Sequence, residues 1–569
     1  VTAEAPTETV AAPAPGARPS LEWAQRYEWW LLAVVAAIGS VARFGGLSSG
    51  TLYRDDAWVA LTTRVPLATA ARMVVTTPGF VLVERVFIGW FPHTLWVDQI
   101  PTLLASIAGI VAVERLARWW GLSAPAGLLA AGLVAASLSD VQYATRIKPY
   151  AFDLLGACLI LWLAEKVRHE GPRAAPWLAA ASLGVCCFSM TPVPLVIAVW
   201  IVLAVESVTH SRVTVRLAAS GVVTAVGLGL LWLAVRGDIS PRLRHSWVGN
   251  YLIVTSPGGF VRSVRSITDG FVHGIGVTTP SLGVPGLGSL DRVLLVVLAL
   301  VGLAAWRRQL LGICALASAI LFSIPSLVPL GTGRTDAYLY PAFAMLVAEG
   351  ATIAWHLLRR TGRILPTAAL AAALLFAGLL AADRVVHRTA YPGGNLRAVA
   401  SLVDRNLRSG ATVIIGGTAR WPWGYYELRH VAIRFSDLYN NGYTVRSDRP
   451  LVLIVPGTPI EGGYARSVAI AAVFARRRCG KVVYVEAGDW PTMPMSLLRA
   501  LVAGGRTVAR GPVSVAGYRS GPGAELTRLP TRSIGRRHGV PRGATGYFTA
   551  RTVTKSRSQP TWYWFPGRC

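Results

Sequence analysis

A succession of apolar runs, each near the length that crosses a bilayer, fills the first two thirds of the chain. The hydrocarbon core of a membrane is about 30 Å thick, so a helix needs ~20 apolar residues to span it. The runs 29–46, 98–118, 122–139, 149–167, 214–235, 291–306, 309–329, 337–357 and 364–382 approach or meet that length. The stretch 176–206 is longer, and as a single helix it would reach roughly 46 Å. Thr191-Pro192-Val193-Pro194 interrupt it, because proline removes a helical hydrogen bond and clashes with the preceding turn. Two helices joined by a short turn are expected there, which makes about eleven spans. In lipid every backbone group must be satisfied within the protein. The expectation is therefore a polytopic α-helical membrane protein.

Composition narrows the class further. Hydrophobic residues make up 53% of 569 against 15% charged, with a mean hydropathy of +0.47. A disordered chain needs low hydrophobicity, and a soluble globular chain of this size carries more charge. Six cysteines are too sparse for a disulfide framework. The net charge is +28, with 56 basic residues of which four are lysine. That bias toward Arg, Ala, Gly and Val fits a GC-rich genome such as an actinobacterial one. A pI near 10.8 also raises nucleic acid as a partner. The arginines lie between spans and on a tail, so no nucleic acid is expected.

Orientation follows the short basic loops. Arg115/Arg118, Lys166/Arg168/Arg173, Arg212/Arg216, Arg307/Arg308 and Arg359/Arg360/Arg363 fall on one side if the N-terminus is cytosolic. Residues 1–26, rich in Ala, Pro and Thr, read as a disordered cytosolic arm. The first apolar run starts at Trp29 without a basic segment at the terminus, so no cleavable signal peptide is visible. The transmembrane domain is read as 27–382, with outer loops 47–97, 140–148, 236–290 and 331–336. An odd number of spans puts the C-terminus outside a multi-pass plasma-membrane protein. From Asp383 onward there are 28 basic and 9 acidic residues, an excess unusual for an outer domain. Long domains translocate largely regardless of charge, and the excess suits anionic headgroups of the lipid bilayer or an acidic wall polymer.

The C-terminal region changes pattern. Residues 394–408 have helical periodicity, while 411–416, 451–455 and 481–485 read as strands. Helical stretches near 464–477 and 494–504 alternate with them. The expectation is an extracytoplasmic α/β domain over 383–520, followed by a basic, loosely ordered tail over 521–569. Nucleotide-binding glycine motifs and a nucleophile elbow are absent.

Chemistry-bearing residues gather on the outer loops. Tyr53-Arg54-Asp55-Asp56 places two adjacent carboxylates just beyond the first span. Ionisable groups so close to lipid are costly and usually functional, one carboxylate serving as general base while the other orients it. The same pair also suits an N-cap for a helix over 57–64. Tyr143, Arg146, Lys148 and Tyr150, with Asp153 one turn on, stand at the mouth of another span. Two cations there suit a phosphate group and equally suit interfacial anchoring. Arg334, on the glycine-flanked turn before Tyr338, is a further phosphate candidate or a snorkelling side chain. His93 and His273 are isolated. Cys186-Cys187 read as packing residues, and a Cys479–Cys569 pairing stays open.

The order of these pieces resembles the GT-C membrane glycosyltransferases, nearest to the protein O-mannosyltransferase and lipid A aminoarabinose transferase branch. The acidic pair Asp55-Asp56 comes first. A Pro-Gly amphipathic stretch over 78–91 follows, then a span opening with Gln99-Ile100-Pro101. Lys148-Pro149-Tyr150 heads another span, and Arg334 precedes Leu339-Tyr340-Pro341. The resemblance covers roughly 29–382. It implies a sugar donor linked to polyprenyl phosphate and an acceptor glycan, glycolipid or protein. It implies Asp55 as catalytic base with Asp56 as helper. Arg146, Lys148, Tyr150 and Arg334 then bind the donor phosphate, and Tyr53, Arg54, Tyr143, Asp153 and Tyr338 are substrate contacts. Lys148 stands where the family carries arginine. No cofactor is required, although Asp55 and Asp56 are compatible with a divalent cation such as Mg or Mn. Mannose and a pentose such as arabinose both fit a cell-envelope role. A non-catalytic assembly scaffold and a lipid-linked sugar flippase are the other readings.

Overall fold

The computed structural model describes residues 26–45, 47, 54–70, 72–73, 77–91, 95–211, 213–235, 247–276, 287–360, 397–415, 419–435, 443–454, 482–486, 509–512 and 561–565. Most of these are helical. The bundle comprises α1 (Glu28–Phe44), α2 (Arg54–Arg64), α3 (Pro78–Trp90), α4 (Leu95–Trp119), α5 (Ala124–Ala136), α6 (Leu138–Tyr143) and α7 (Tyr150–Glu170). It continues with α8 (Ala175–Phe188), α9 (Val193–Thr209), α10 (Val215–Val235), α11 (Pro257–Ile275), α12 (Leu287–Gly302), α13 (Leu310–Ser323) and α14 (Tyr340–Arg359).

Among the described residues, three segments are long and apolar enough to cross a membrane by length and composition: Trp96–Trp119, Val215–Ala234 and Ala337–Arg359. Shorter apolar helices run Ala124–Ala136, Val193–Thr209, Arg292–Ala305 and Leu310–Ser323. The run expected at 364–382 lies outside the described residues. The long stretch 176–206 is two helices, parted around Ser189–Pro192. The run 122–139 is shorter as a helix than its hydropathy suggests. Ser137 ends α5, and its hydroxyl accepts the Asp140 N–H at 3.3 Å, which starts α6. A polar cap overrides apolar continuity there.

Arginine pins α1 to its neighbours at both ends. Near its start, Glu28 accepts from Arg115 at 2.8 Å and from Arg118 at 3.1 Å, which fixes α1 against the last turns of α4. At the other end Arg43 is fully buried. Its guanidinium donates to Gly39 O and Ala135 O at 2.9 Å, to Val134 O at 3.1 Å and to Ser106 Oγ at 2.7 Å. The last turn of a helix leaves carbonyls short of donors, and Arg43 caps α5 from another helix, charge aligned with its dipole; Val134 O also takes the Ser137 N–H at 3.3 Å.

The C-terminal part adds α15 (Arg397–Arg408), α16 (Arg420–Tyr426) and two sheets. A five-stranded sheet has the order β4 (Val452–Ile454), β1 (Thr412–Ile415), β5 (Val482–Glu486), β7 (Thr561–Phe565), β6 (Ala509–Pro512). β1 runs parallel to β4 and β5, and β7 is antiparallel to β5 and β6. β2 (Val431–Phe435) and β3 (Tyr443–Ser447) pair as an antiparallel ladder. β7 corrects one expectation: the segment 521–569, read as a loosely ordered tail, supplies an inner strand. Its run Thr561-Trp562-Tyr563-Trp564-Phe565 has the aromatic content that favours strands, masked by the surrounding basic composition. The expected helices at 464–477 and 494–504 lie outside the described residues.

Two cores result. One packs the bundle helices together. The other joins Ala57, Val59 and Leu61 of α2 to Trp421, Trp423 and Tyr425 of α16 and to Tyr443 and Val445 of β3. Helix α2 is therefore built into the sheet domain as well as the bundle.

Replacing Arg43 with Met should cost roughly 2–4 kcal/mol, since it strips charge-assisted hydrogen bonds from buried carbonyls. Thermal unfolding in detergent checks this, and an unchanged midpoint would show the cap to be dispensable.

Candidate functional site

Helix α2 begins at Arg54, so Asp55 and Asp56 lie in its first turn. This corrects the alternative in which one of them is the N-cap of a helix over 57–64. The Asp56 side chain points elsewhere: its Oδ2 accepts from Arg146 Nε at 2.5 Å, with Asp56 2% and Arg146 4% exposed. Burial makes each ion expensive alone and the pair tenable together.

Arg146 and Lys148 sit on the turn between α6 and α7, where the Lys148 N–H donates to Arg146 O at 2.7 Å. The Arg146 guanidinium lies 5.4 Å from the Tyr143 ring centre, and Tyr143 packs edge-on against Tyr150 at 5.3 Å. Lys148 Nζ stands 4.7 Å from the Trp58 ring centre. Asp56 and Trp58 on α2 thus face Arg146 and Lys148 in matched i, i+2 pairs.

The third element is the turn before α14. Asp336 is fully buried, and its carboxylate accepts from the Gly331, Thr332 and Gly333 N–H groups at 3.1, 2.8 and 3.0 Å. Burial raises its pKa to about 6 despite these donors. Gly331 and Gly333 take φ of +69° and +71°, a region that disfavours other residues. A Cβ on Gly270 of α11 would fall 1.9 Å from Gly331 O, so helix and turn touch backbone to backbone. Arg334 projects from this turn, 4.3 Å from the Trp247 ring centre. A pocket is lined by Asp140, Tyr143, Tyr150, Gly333, Arg334 and Ala337, among others.

The structure thus brings Asp56, Arg146, Lys148, Tyr143, Tyr150 and Arg334 to one end of the bundle. Asp153 is buried in the first turn of α7, three residues after Tyr150, where it accepts from Thr191 Oγ1 at 2.6 Å and is not among the pocket-lining residues. Tyr338 is buried and is not among the pocket-lining residues. The side chains of Arg54 and Asp55, and all of Tyr53 and His93, fall outside the described residues. Among the described residues no cluster of three or more His, Cys, Asp or Glu stands ready for a metal. Asp56 commits one oxygen to Arg146, so a cation there would share its carboxylate with a guanidinium.

Three acids near the site escaped the sequence reading. Asp140 lines the pocket, and burial pushes its pKa up to about 7 against the pull of Arg43. Asp98 accepts a hydrogen bond from the Tyr425 hydroxyl of α16. Glu84 is fully buried, and neither carboxylate oxygen has a hydrogen-bond partner among the described residues. Burial, and then Asp98, hold its pKa well above the usual carboxylate range. A signal for Glu84 was present: Phe80, Val81, Glu84 and Ile88 form the buried stripe of α3, so the acid occupies a core position.

No family model matches the chain, and no curated protein does. Solved structures similar to it include the Archaeoglobus fulgidus oligosaccharyltransferase tethered with an acceptor peptide, at 12% identity and a TM-score of 0.45. That match covers 81% of this chain and 69% of the other. ArnT from Cupriavidus metallidurans in the apo state is similar at 13% identity and a TM-score of 0.48, covering 87% and 97%. The arabinofuranosyltransferase AftD from Mycobacteria is similar at 14% identity and a TM-score of 0.42, covering 95% of this chain and 40% of the other.

Glu84 makes stability depend on pH. Its folded-state pKa lies above the unfolded one, so the unfolded chain ionises first as pH rises past about 4.5. Stability present below that pH is then lost progressively until the folded carboxyl also ionises. Glu84→Gln has no such loss. Its unfolding midpoint relative to wild type should rise between pH 5 and pH 8, and a constant difference would refute the assignment.

Proposed function

We propose that this protein is a membrane glycosyltransferase that moves a sugar from a polyprenyl-phosphate donor to an acceptor hydroxyl. The sugar is mannose or a pentose such as arabinose, and the acceptor an envelope glycan, glycolipid or protein. The observation that carries this reading is the buried Asp56–Arg146 pair, with Lys148 beside it and the Arg334 pocket reached through Tyr143. A carboxylate and three cations at the mouth of an apolar bundle suit a lipid-borne phosphate and a nucleophilic hydroxyl.

The chemistry is a single displacement. The acceptor oxygen forms a bond to the anomeric carbon as the carbon–oxygen bond to phosphate breaks, inverting that carbon. The bonding pair leaves with the phosphate, and the acceptor proton passes to Asp55, which must come within hydrogen-bond reach. Asp56, held by Arg146, fixes the turn that carries Asp55. Arg146, Lys148 and Arg334 stabilise the charge that develops on the leaving phosphate.

The displacement takes the phosphate from one negative charge in the diester donor to two in the released monophosphate, while Asp55 loses its own charge on taking the proton, so the charge of the site shifts in the direction the leaving group needs. A divalent cation beside Asp55 and Asp56 is compatible with this scheme, and no step depends on it.

The test is sugar transfer by purified protein in lipid, using radiolabelled polyprenyl-phosphate sugars and a crude envelope acceptor. Transfer from one donor is expected, falling on the order of 10²-fold or more in Asp55→Asn. Lys148→Ala should weaken donor binding. Folded protein inactive with every donor would favour a scaffold or flippase role.

A further inference from the structure

Helix α16 of the sheet domain packs against α2, the helix that also carries Asp56 and Trp58. Arg64 near the end of α2 donates to Tyr425 O at 2.6 Å and stands 4.7 Å from that ring centre. The Tyr425 hydroxyl donates to Asp98 at the start of α4. These contacts fix α16 to the bundle, and they set the position of Trp421 one turn earlier. The Trp421 ring meets the Trp58 ring edge-on, with centres 6.3 Å apart at 66°. Tyr443 of β3 packs edge-on against Trp421 at 5.1 Å, and its hydroxyl donates to Trp58 O at 3.3 Å.

Trp58 is also the ring beneath Lys148 Nζ. Its indole N–H has no hydrogen-bond partner among the described residues, which leaves ring packing as the contact seen to orient it. The aromatic ring packed against it is Trp421. A lysine ammonium is attracted to a ring face, so the Trp58 ring is one of the contacts that place Lys148. An unbroken line of contacts thus runs from Tyr443 through Trp421 and Trp58 to Lys148.

We propose that Trp421 of the sheet domain is a positioning residue for the donor-phosphate site, acting on Lys148 through Trp58. The proposal rests on the transferase reading above. It makes the sheet domain a structural half of the donor site in addition to any role with the acceptor.

The test measures binding of undecaprenyl phosphate, the free lipid phosphate, to the full-length protein in uncharged-lipid nanodiscs. Wild type is compared with Lys148→Ala, Trp421→Ala, Trp421→Phe and the Lys148→Ala/Trp421→Ala double variant. Residues that act through one another are not additive. Trp421→Ala should weaken binding about five- to tenfold, and the double variant should bind no worse than Lys148→Ala within about twofold. Trp421→Phe, which restores an aromatic edge, should bind like wild type. If Trp421→Ala fails to fold, Trp421→Leu, which retains apolar volume, takes its place. Wild-type affinity in either variant, or a double variant showing the full product of both losses, overturns the positioning role while leaving the transferase reading intact. No effect of Lys148→Ala overturns both.

Discussion

An aspartate and an arginine that are each almost entirely out of water must find one another, because an isolated buried ion costs several kcal/mol. Asp56 and Arg146 meet this condition across 90 residues of sequence. The constraint sets the geometry at this end of the molecule. It fixes the first turn of α2 against the turn between α6 and α7, and therefore fixes Asp55, Trp58, Lys148 and Tyr150 relative to one another. The Lys148–Trp58 contact joins the same two elements at a second point.

The Arg334 turn is positioned by different means. Three backbone N–H groups converge on Asp336, and two residues with positive φ let the chain curl around that carboxylate. The absence of side chains at Gly270 and Gly331 lets α11 press directly onto it. The same helix reaches α6: Ser137 Oγ donates to Gly274 O at 3.0 Å, and the Leu138 N–H donates to Gly276 O at 3.2 Å. Helix α11 thereby bridges α6 and the Arg334 turn, both of which line the pocket.

The legible and illegible parts of the sequence divide along physical lines. Apolar length and proline breaks reveal the helices, because both act locally. Charge placement in the sequence marked Asp55-Asp56, Arg146, Lys148 and Arg334 as candidates. Their partners were not legible, since Asp56–Arg146 and Lys148–Trp58 depend on tertiary approach. Trp421 and Tyr425 were not singled out from the sequence, because their burial comes from packing on α2. Trp562 and Trp564 lay hidden in a basic segment whose average composition suggested disorder. Glu84 was visible in principle, because an acid on the apolar stripe of an amphipathic helix departs from the pattern.

The replacement of an expected arginine by Lys148 acquires a physical meaning from these contacts. Arginine's planar fork is best used where direction matters, and Arg146 uses its fork on Asp56. A second guanidinium beside it would compete for the same carboxylate and disturb the pair. Lysine is a compact charge on a flexible stem, and the face of Trp58 attracts it without fixing a bond direction. In the proposed reaction such a cation can follow the phosphate as it changes from diester to departing monophosphate, while Arg146 adds its charge without leaving Asp56. The two cations then answer the leaving group differently: one moves with the charge, and the other meets it from a fixed position.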